Sequence, residues 1–428
     1  MRVMKDSGIE WIGEIPKEWN IERLKLHAHF NPETTLPEFS DEDHVSFIPM
    51  DHLKSGYHTQ SSTVFDKVKK GYVSFAEDDI LMAKVTPCLE NGNLAIATDL
   101  IDGVGFGSTE INVIRCKTIN NKYLFYLLQC QSYIKKATYN MFGVAGLKRL
   151  TPEFIPNSFF PIPSYEEQLA IVEYLDNKCS EINTLIASKE KTNALLKERR
   201  QSMIYEAVTK GLDPAAPMKD SGVEWIGKIP DSWELRKIKH NFDVVAGATP
   251  KSGEMSFWDG DIPWITPADY TTEDVFVSAG RKNITREGMN SCATTMIPEG
   301  SIVFSKRAPV GLVAISSNRL CTNQGCLSCV PKENVDAKYF YYTMSVFNKQ
   351  FDLFASGTTF KELSADSFAN FKLPFPNYGV QREIAAYLDN KCSELDFAAL
   401  QNNTTIQKLK EYRQSLIYEV VTGKIEIQ

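Results

Sequence analysis

Apolar side chains recur at alternating spacings of three and four along two segments of the chain, the pattern of an α-helix with one buried stripe. In the first segment the stripe runs Val172, Leu175, Cys179, Ile182, Ile186, Lys189, Asn193, Leu196, Arg200, Met203 and Ala207. In the second it runs Ala385, Leu388, Cys392, Leu395, Ala399, Asn402, Ile406, Leu409, Arg413, Leu416 and Val420. Each segment follows a Pro-x-Pro exit, Pro161/Pro163 and Pro374/Pro376, with Ser164 and Asn377 placed as N-caps. Glu167 is spaced for a capping box with Ser164, and Gly211 and Gly423 are the expected stops. A helix of about 45 residues is roughly 68 Å long, longer than a globule of about 150 residues. Such a stripe needs a partner helix, and the chain holds an equivalent one. Paired antiparallel, Lys189 and Asn402 would share a polar layer that fixes register. The plainer alternative is that each stripe packs on its own domain.

Before each helical segment the pattern changes. YVSFAEDDILMAKV and TMIPEGSIVFSKRAPVGLVAI read as strand–turn–strand units, rich in β-branched residues. KYLFYLLQCQSYIKK and KYFYYTMSVFNKQF have helical periodicity. The expected layout is a mixed α/β (α+β) domain over 1–163, a helix over 164–211, a second such domain over 212–376 and a second helix over 377–428.

That layout is a duplication. MKDSGIEWIGEIPKEW (4–19) and MKDSGVEWIGKIPDSW (218–233) agree at twelve of sixteen positions, at an offset of 214. YLDNKCSE recurs at 174–181 and 387–394, and KERRQSMIYEAVT (197–209) matches KEYRQSLIYEVVT (410–422), both at an offset of 213. Between these ends the copies diverge: ILMAKVTP (80–87) aligns with IVFSKRAP (302–309) at 222, and GFGSTE (105–110) with CTNQGC (321–326) at 216. A fixed frame around variable bodies predicts one geometry presenting two different readings. An antiparallel helix pair would relate the copies by a pseudo-twofold axis. Duplex DNA has matching symmetry, with half-sites about 34 Å apart per helical turn.

Composition bounds the chemistry. The chain has 428 residues, 43% apolar and 24% charged, ordinary for a folded protein of two or three domains. Its net charge is −7, where nucleic-acid binders usually show a basic excess. The segments 1–164, 165–210, 211–378 and 379–428 carry 17, 7, 17 and 6 basic against 20, 8, 19 and 7 acidic residues, so no cationic domain is hidden in the average. No run approaches the roughly 18 apolar residues of a membrane span. Acids interrupt the first sixteen residues where a signal peptide would be apolar. A cytoplasmic chain is therefore expected, and nine cysteines suit reduced thiols. Cys321, Cys326 and Cys329 have ferredoxin-like spacing, but LSCV reads as a core strand and no fourth ligand follows nearby. The six histidines lack zinc spacing, and no phosphate-binding G-x-x-x-x-G-K-[ST] loop occurs. Asn31-Pro32 is followed by Glu33-Thr34 rather than the apolar or aromatic pair that would grip a flipped adenine.

The DSG-x-EW-IG-x-IP-xx-W openings, the RQS-x-IYE-x-VT helix ends and the two-copy layout resemble the specificity subunits of type I restriction–modification systems, over essentially the whole chain. The resemblance implies two target recognition domains joined by an antiparallel coiled coil, and a non-catalytic subunit that selects an asymmetric bipartite sequence in double-stranded DNA. It implies as partners two methyltransferase subunits and restriction subunits, with S-adenosylmethionine, ATP and Mg on those partners and no cofactor on this chain. The competing readings are a scaffold whose domains bind proteins, and an enzyme with an unrecognised site.

Base reading needs Arg, Lys, Asn, Gln or hydroxyl side chains at a groove edge, and phosphate grip needs cations and hydroxyls. In the first copy the candidates are Lys84, Thr86, Ser108, Thr109, Lys148 and Arg149; in the second they are Thr249, Lys251, Lys306, Arg307, Thr322, Asn323, Gln324, Thr358 and Lys361. Each has a plainer reading as a solvated loop residue. Trp11, Trp19, Trp225 and Trp233 are read as packing residues of the frame.

Overall fold

The computed structural model of the chain describes residues 2–144, 146–357 and 361–427. It divides into two compact units, one formed by 1–190 with 403–428 and the other by 191–402. Each long helix therefore contributes its first part to one unit and its second part to the other.

The first unit holds two four-stranded sheets. One is ordered Ser62–Val64, His44–Ile48, Val104–Gly107, Val73–Ala76, and the other Ala28–Phe30, Ile111–Cys116, Ile80–Ala83, Leu94–Ile96. Two of the passages between the sheets are short turns, at 77–79 and at 108–110, so the strand–turn–strand unit YVSFAEDDILMAKV has its two strands in different sheets. Asp79 makes the first of these turns. It is buried, accepts the Ala76 amide at 2.8 Å and is clasped by the Arg115 guanidinium at 2.6 and 2.8 Å. Burying that carboxylate is tolerable because it is paired and hydrogen-bonded.

The second unit has a five-stranded sheet, Phe242–Ala246, Cys326–Pro331, Ile302–Ser305, Val313–Ser316, Phe276–Val277, and a three-stranded one, Lys282–Ile284, Trp258–Ile265, Cys321–Thr322. The cysteine cluster thus lies in strands, and Cys321, Cys326 and Cys329 are all buried. Burial pushes the Cys321 and Cys326 thiols up to about 11 and about 12. Among the described residues no group of His, Cys, Asp and Glu is placed to hold a metal, and no helix is long and apolar enough to cross a membrane.

The periodic stretches KYLFYLLQCQSYIKK and KYFYYTMSVFNKQF are each two helices rather than one. Asn121–Gln129 and Gln131–Tyr139 meet at Cys130, which has extended geometry, and Ala337–Val346 and Asn348–Phe354 meet at Phe347. Cys130 and Phe347 are both buried. Two short helices that each bury a face give the same apolar spacing as one long helix.

The long helices run Tyr165–Lys210 and Tyr378–Val421. Ser164 Oγ caps the first by accepting the Glu167 amide at 3.2 Å, and Asn377 Oδ1 caps the second by accepting the Val380 amide at 3.0 Å. The capping box is not closed: the Glu167 carboxylate instead accepts from Trp19 Nε1 at 2.9 Å and pairs with Arg2. The predicted stops, Gly211 and Gly423, have φ of +76° and +71°, the left-handed geometry that favours glycine.

The seam is the least exposed face of each helix, buried towards its domain and half-buried towards the middle. Val172, Leu175, Ile182, Ile186, Leu388, Ile406 and Leu416 are buried, and Lys189, Leu196, Met203, Leu395, Asn402 and Leu409 are half-buried, while the off-seam Leu185, Leu195, Phe397 and Leu400 are exposed. Within the second unit Asn402 bonds to Asn193 at 3.0 Å and Arg200 meets Asp396 at 3.3 Å. Numbers rising on one helix against falling on the other mean that these helix segments run antiparallel. The described polar pair therefore joins Asn402 to Asn193, one turn beyond Lys189. In the first unit Arg413 donates to Asn183, the equivalents of Arg200 and Asp396.

The repeated openings dock on the helix ends. Ile12, Ile15 and Trp19 share a core with Ile417, Val420 and Val421, and Ile226, Ile229 and Trp233 share one with Ile204, Ala207 and Val208. Tyr123 Oη donates to the carbonyls of Pro161 and Val421, at 3.0 and 3.2 Å; Tyr339 Oη donates to those of Pro374 and Val208, both at 3.2 Å. The DSG tripeptide persists for a backbone reason. Asp6 and Asp220 accept the amides of Gly8 and Gly222 at 2.9 Å, in a turn that requires positive φ at both glycines. Trp11, Trp19 and Trp233 are buried and Trp225 stacks on Phe371, so the tryptophans do pack the frame.

Candidate nucleic-acid interface

Three loops converge at the same place in both copies. The first is the end of the strand carrying Lys84 or Lys306, which continues into a cis peptide before Pro87 or Pro309. The second is the turn that links a strand of one sheet to a strand of the other, 108–110 or 323–325. The third is a hairpin: Met141–Val144 with Leu147–Leu150 in the first copy, and a bridge between Ser356 and Glu362 in the second.

Backbone hydrogen bonds set the equivalences. The Lys84 amide donates to the Glu110 carbonyl at 3.0 Å, and the Lys306 amide to the Gly325 carbonyl at 2.9 Å. Ile111 pairs with Ala83 as Cys326 pairs with Ser305. The offset in the turn is therefore 215, one less than the sequence comparison suggests. A one-residue slip is invisible where side chains differ at every position. Ser108 corresponds to Asn323 and Thr109 to Gln324. Both turns are built alike: Ser108 Oγ accepts the Glu110 amide at 3.2 Å, and Asn323 Oδ1 accepts the Gly325 amide at 2.9 Å.

This placement sorts the candidates. Thr109 and Gln324 are the exposed tips of equivalent turns, whereas Ser108 and Asn323, half-buried, shape them. Thr322 is not at a reading edge. It is 2% exposed, in the strand Cys321–Thr322, with its hydroxyl 3.3 Å from that of Ser328. Thr86 holds the hairpin, donating to the Gly146 carbonyl at 2.8 Å and accepting the Lys148 amide at 2.9 Å. Thr249 reaches Gln324 from the segment 247–249, which runs so close to the turn that a Cβ on Gly247 would lie 2.1 Å from the Asn323 carbonyl oxygen. Lys148, Lys251 and Lys361 are exposed, and Lys361 pairs with Asp352 at 2.7 Å. Thr358 lies outside the described residues.

Two residues central to the junction escape a reading based on DNA-binding side-chain types, because they are acids. Glu110 accepts a bidentate bond from Arg149 at 2.8 and 2.9 Å. Glu362 pairs with Lys306 at 2.7 Å and Arg307 at 2.8 Å. The Arg149 guanidinium, with the charge of Lys84, holds the Glu110 carboxyl below its ordinary range; Lys306 and then Arg307 do the same for Glu362. Beside this junction the first hairpin exposes Phe142, Val144 and Leu147 on one face.

The sequence profile of the family described as "Type I restriction modification DNA specificity domain" matches residues 16–195 and 230–411. The MjaIX specificity subunit of a type I restriction enzyme from Methanocaldococcus jannaschii is 40% identical over 169 residues, covering 38% of each chain. The EcoAI specificity subunit of Escherichia coli is 37% identical over 164 residues, 37% of this chain and 28% of that one. These matches span well under two thirds of either relative. A putative MjaX specificity subunit of M. jannaschii, 25% identical, aligns over 97% of this chain and 96% of its own length. Among solved structures, one from work on assembly and conformational transition of the type I R-M system has a TM-score of 0.75 at 18% identity, covering 96% of this chain and 99% of that one. The HsdS subunit from Thermoanaerobacter tengcongensis has a TM-score of 0.51 at 18% identity, over 96% and 98%. At these identities the structural likeness establishes the fold.

Proposed function

Because the chain belongs to the type I restriction–modification DNA specificity family, we propose that it is the non-catalytic subunit that selects an asymmetric, two-part sequence in double-stranded DNA. Each recognition domain takes one half of the target. Two methyltransferase subunits and the restriction subunits supply the chemistry, with S-adenosylmethionine, ATP and Mg bound on those partners, in the cytoplasm.

One observation carries this reading. The same turn, built by the same hydrogen bonds at the same ladder position, presents Thr109 in one copy and Gln324 in the other. A conserved backbone with exchanged tips is what reading two different half-sites requires, since sequence is read by side chains at base edges and register is held by the frame.

The test is to express the chain with a methyltransferase subunit of its system and sequence the host methylome. A split motif with methylated adenine in both halves is expected. Incubated alone with labelled S-adenosylmethionine and DNA, the chain should transfer no methyl group. Random methylation in the first experiment, or transfer in the second, contradicts the proposal.

A further inference from the structure

The loop junction has four equivalent places in the two copies: 84 and 306, 85 and 307, 110 and 325, 149 and 362. The pairings are fixed by backbone geometry. The Leu150 amide donates to the Lys84 carbonyl and the Leu363 amide to the Lys306 carbonyl, both at 2.8 Å. Val85 is bridged to Arg149 as Arg307 is bridged to Glu362. The occupants are Lys, Val, Glu, Arg in one copy and Lys, Arg, Gly, Glu in the other.

Three of the four places have changed residue, yet the sum has not. Each junction holds one lysine, one arginine and one glutamate: Arg149 pairs with Glu110 with Lys84 nearby, and both Lys306 and Arg307 pair with Glu362. In the first copy the acid stands on the turn and the arginine on the hairpin, with Lys84 adding its charge. In the second copy the acid has moved to the hairpin, the arginine to the strand end, and glycine fills the vacated place on the turn. A Cβ at Gly325 would come within 3.1 Å of Pro267 and of Asn323 Oδ1, so that turn has little room for a larger residue. Unconstrained surface charges would not compensate each other in this way. The Lys306 side chain is 16% exposed and that of Glu110 27%, while Arg149 and Arg307 reach their carboxylates from half-exposed positions.

We propose that Glu110 and Glu362 are positioning residues, each closing a three-charge clasp that holds the strand end, the turn and the hairpin in one frame so that Thr109 or Gln324 meets its bases in a fixed place. This rests on the reading of these loops as the DNA-selecting surface. The clasp works through the tip it fixes. Arg149, Arg307 and Lys306 serve it by neutralising the carboxylate, and the identity of the half-motif belongs to the tips.

The clasp is tested by reversing its polarity in full-length protein co-expressed with its methyltransferase. Glu110→Arg sets a new guanidinium against Arg149 and Lys84, and Arg149→Glu sets two carboxylates together. Each single variant should lower methylation at sites matching the first copy's half-motif, or loosen that half, by about tenfold. The half read by the second copy should stay the same. The double variant Glu110→Arg/Arg149→Glu restores one lysine, one arginine and one glutamate, and should recover the original half-motif. A double variant that reads an altered half-motif would show that Arg149 or Glu110 touches bases, and single variants without effect would show that no clasp operates; either overturns the proposal. If even the unaltered chain directs no split-motif methylation, the DNA reading fails separately. The clasp is then read by hydrogen exchange of residues 141–150, which should quicken in both singles and return to the unaltered rate in the double.

Discussion

Gly211 and Gly423 end equivalent helices with nearly the same positive φ, yet their surroundings differ. A methyl group on Gly211 would lie 3.2 Å from the edge of Trp233, whereas one on Gly423 would meet Pro16 at 2.4 Å and Trp19 at 2.9 Å. Trp19 is 1% exposed and cannot swing away. Alanine at either place is expected to cost about 1–2 kcal/mol for the left-handed backbone. Gly423→Ala should cost more, because a proline ring and a packed indole must also yield. Urea unfolding of the two variants checks this, and equal losses would mean that the close approach of Pro16 is relieved without cost.

At the scale of elements, the periodic parts of the chain were legible and the loops were not. The two stripes, Val172–Ala207 and Ala385–Val420, mark their own buried faces, and Ser164, Asn377, Gly211 and Gly423 mark the ends, because helix periodicity and caps are local properties. The opening motif betrayed the duplication for the same reason: its Asx turn depends on neighbours two residues away. The junction depends on residues 26 to 65 positions apart, such as Lys84, Glu110 and Arg149, so its acids looked like ordinary solvated charges. Chemical type alone does not separate the exposed turn tips Thr109 and Gln324 from the buried Thr322. The seam yields its own prediction. Leu388→Ala, at a fully buried place, should lose about 2–5 kcal/mol. Leu395→Ala, seven residues on and half-buried, should lose clearly less; chemical unfolding followed by circular dichroism separates them.

At the scale of the whole molecule, the charge of −7 acquires a definite meaning. No segment carries a basic excess, and several candidate cations are already engaged with acids, Arg149 with Glu110, Lys306 and Arg307 with Glu362, Lys361 with Asp352. Under the proposed function, phosphate grip comes largely from the partner subunits. The isolated chain should therefore bind its duplex weakly, with affinity falling by about 0.9 log units per log unit of salt for each phosphate neutralised. Fluorescence anisotropy across a salt series measures that slope, and tight binding that ignores salt would contradict the argument. The division of the helices reaches further, into synthesis. Residues 191–402 are continuous, so that unit is complete as soon as the ribosome has released them, whereas the unit that begins the chain still lacks 403–428, with Ile417, Val420 and Val421 of its core. The half made first is finished last. Until then Trp19 and Tyr123 stand beside an unfilled core, and a nascent chain arrested near residue 402 should be cut by protease within 1–190 while 191–402 resists. The order in which the two units mature is thus written into the path of two helices, the reverse of their order in the gene.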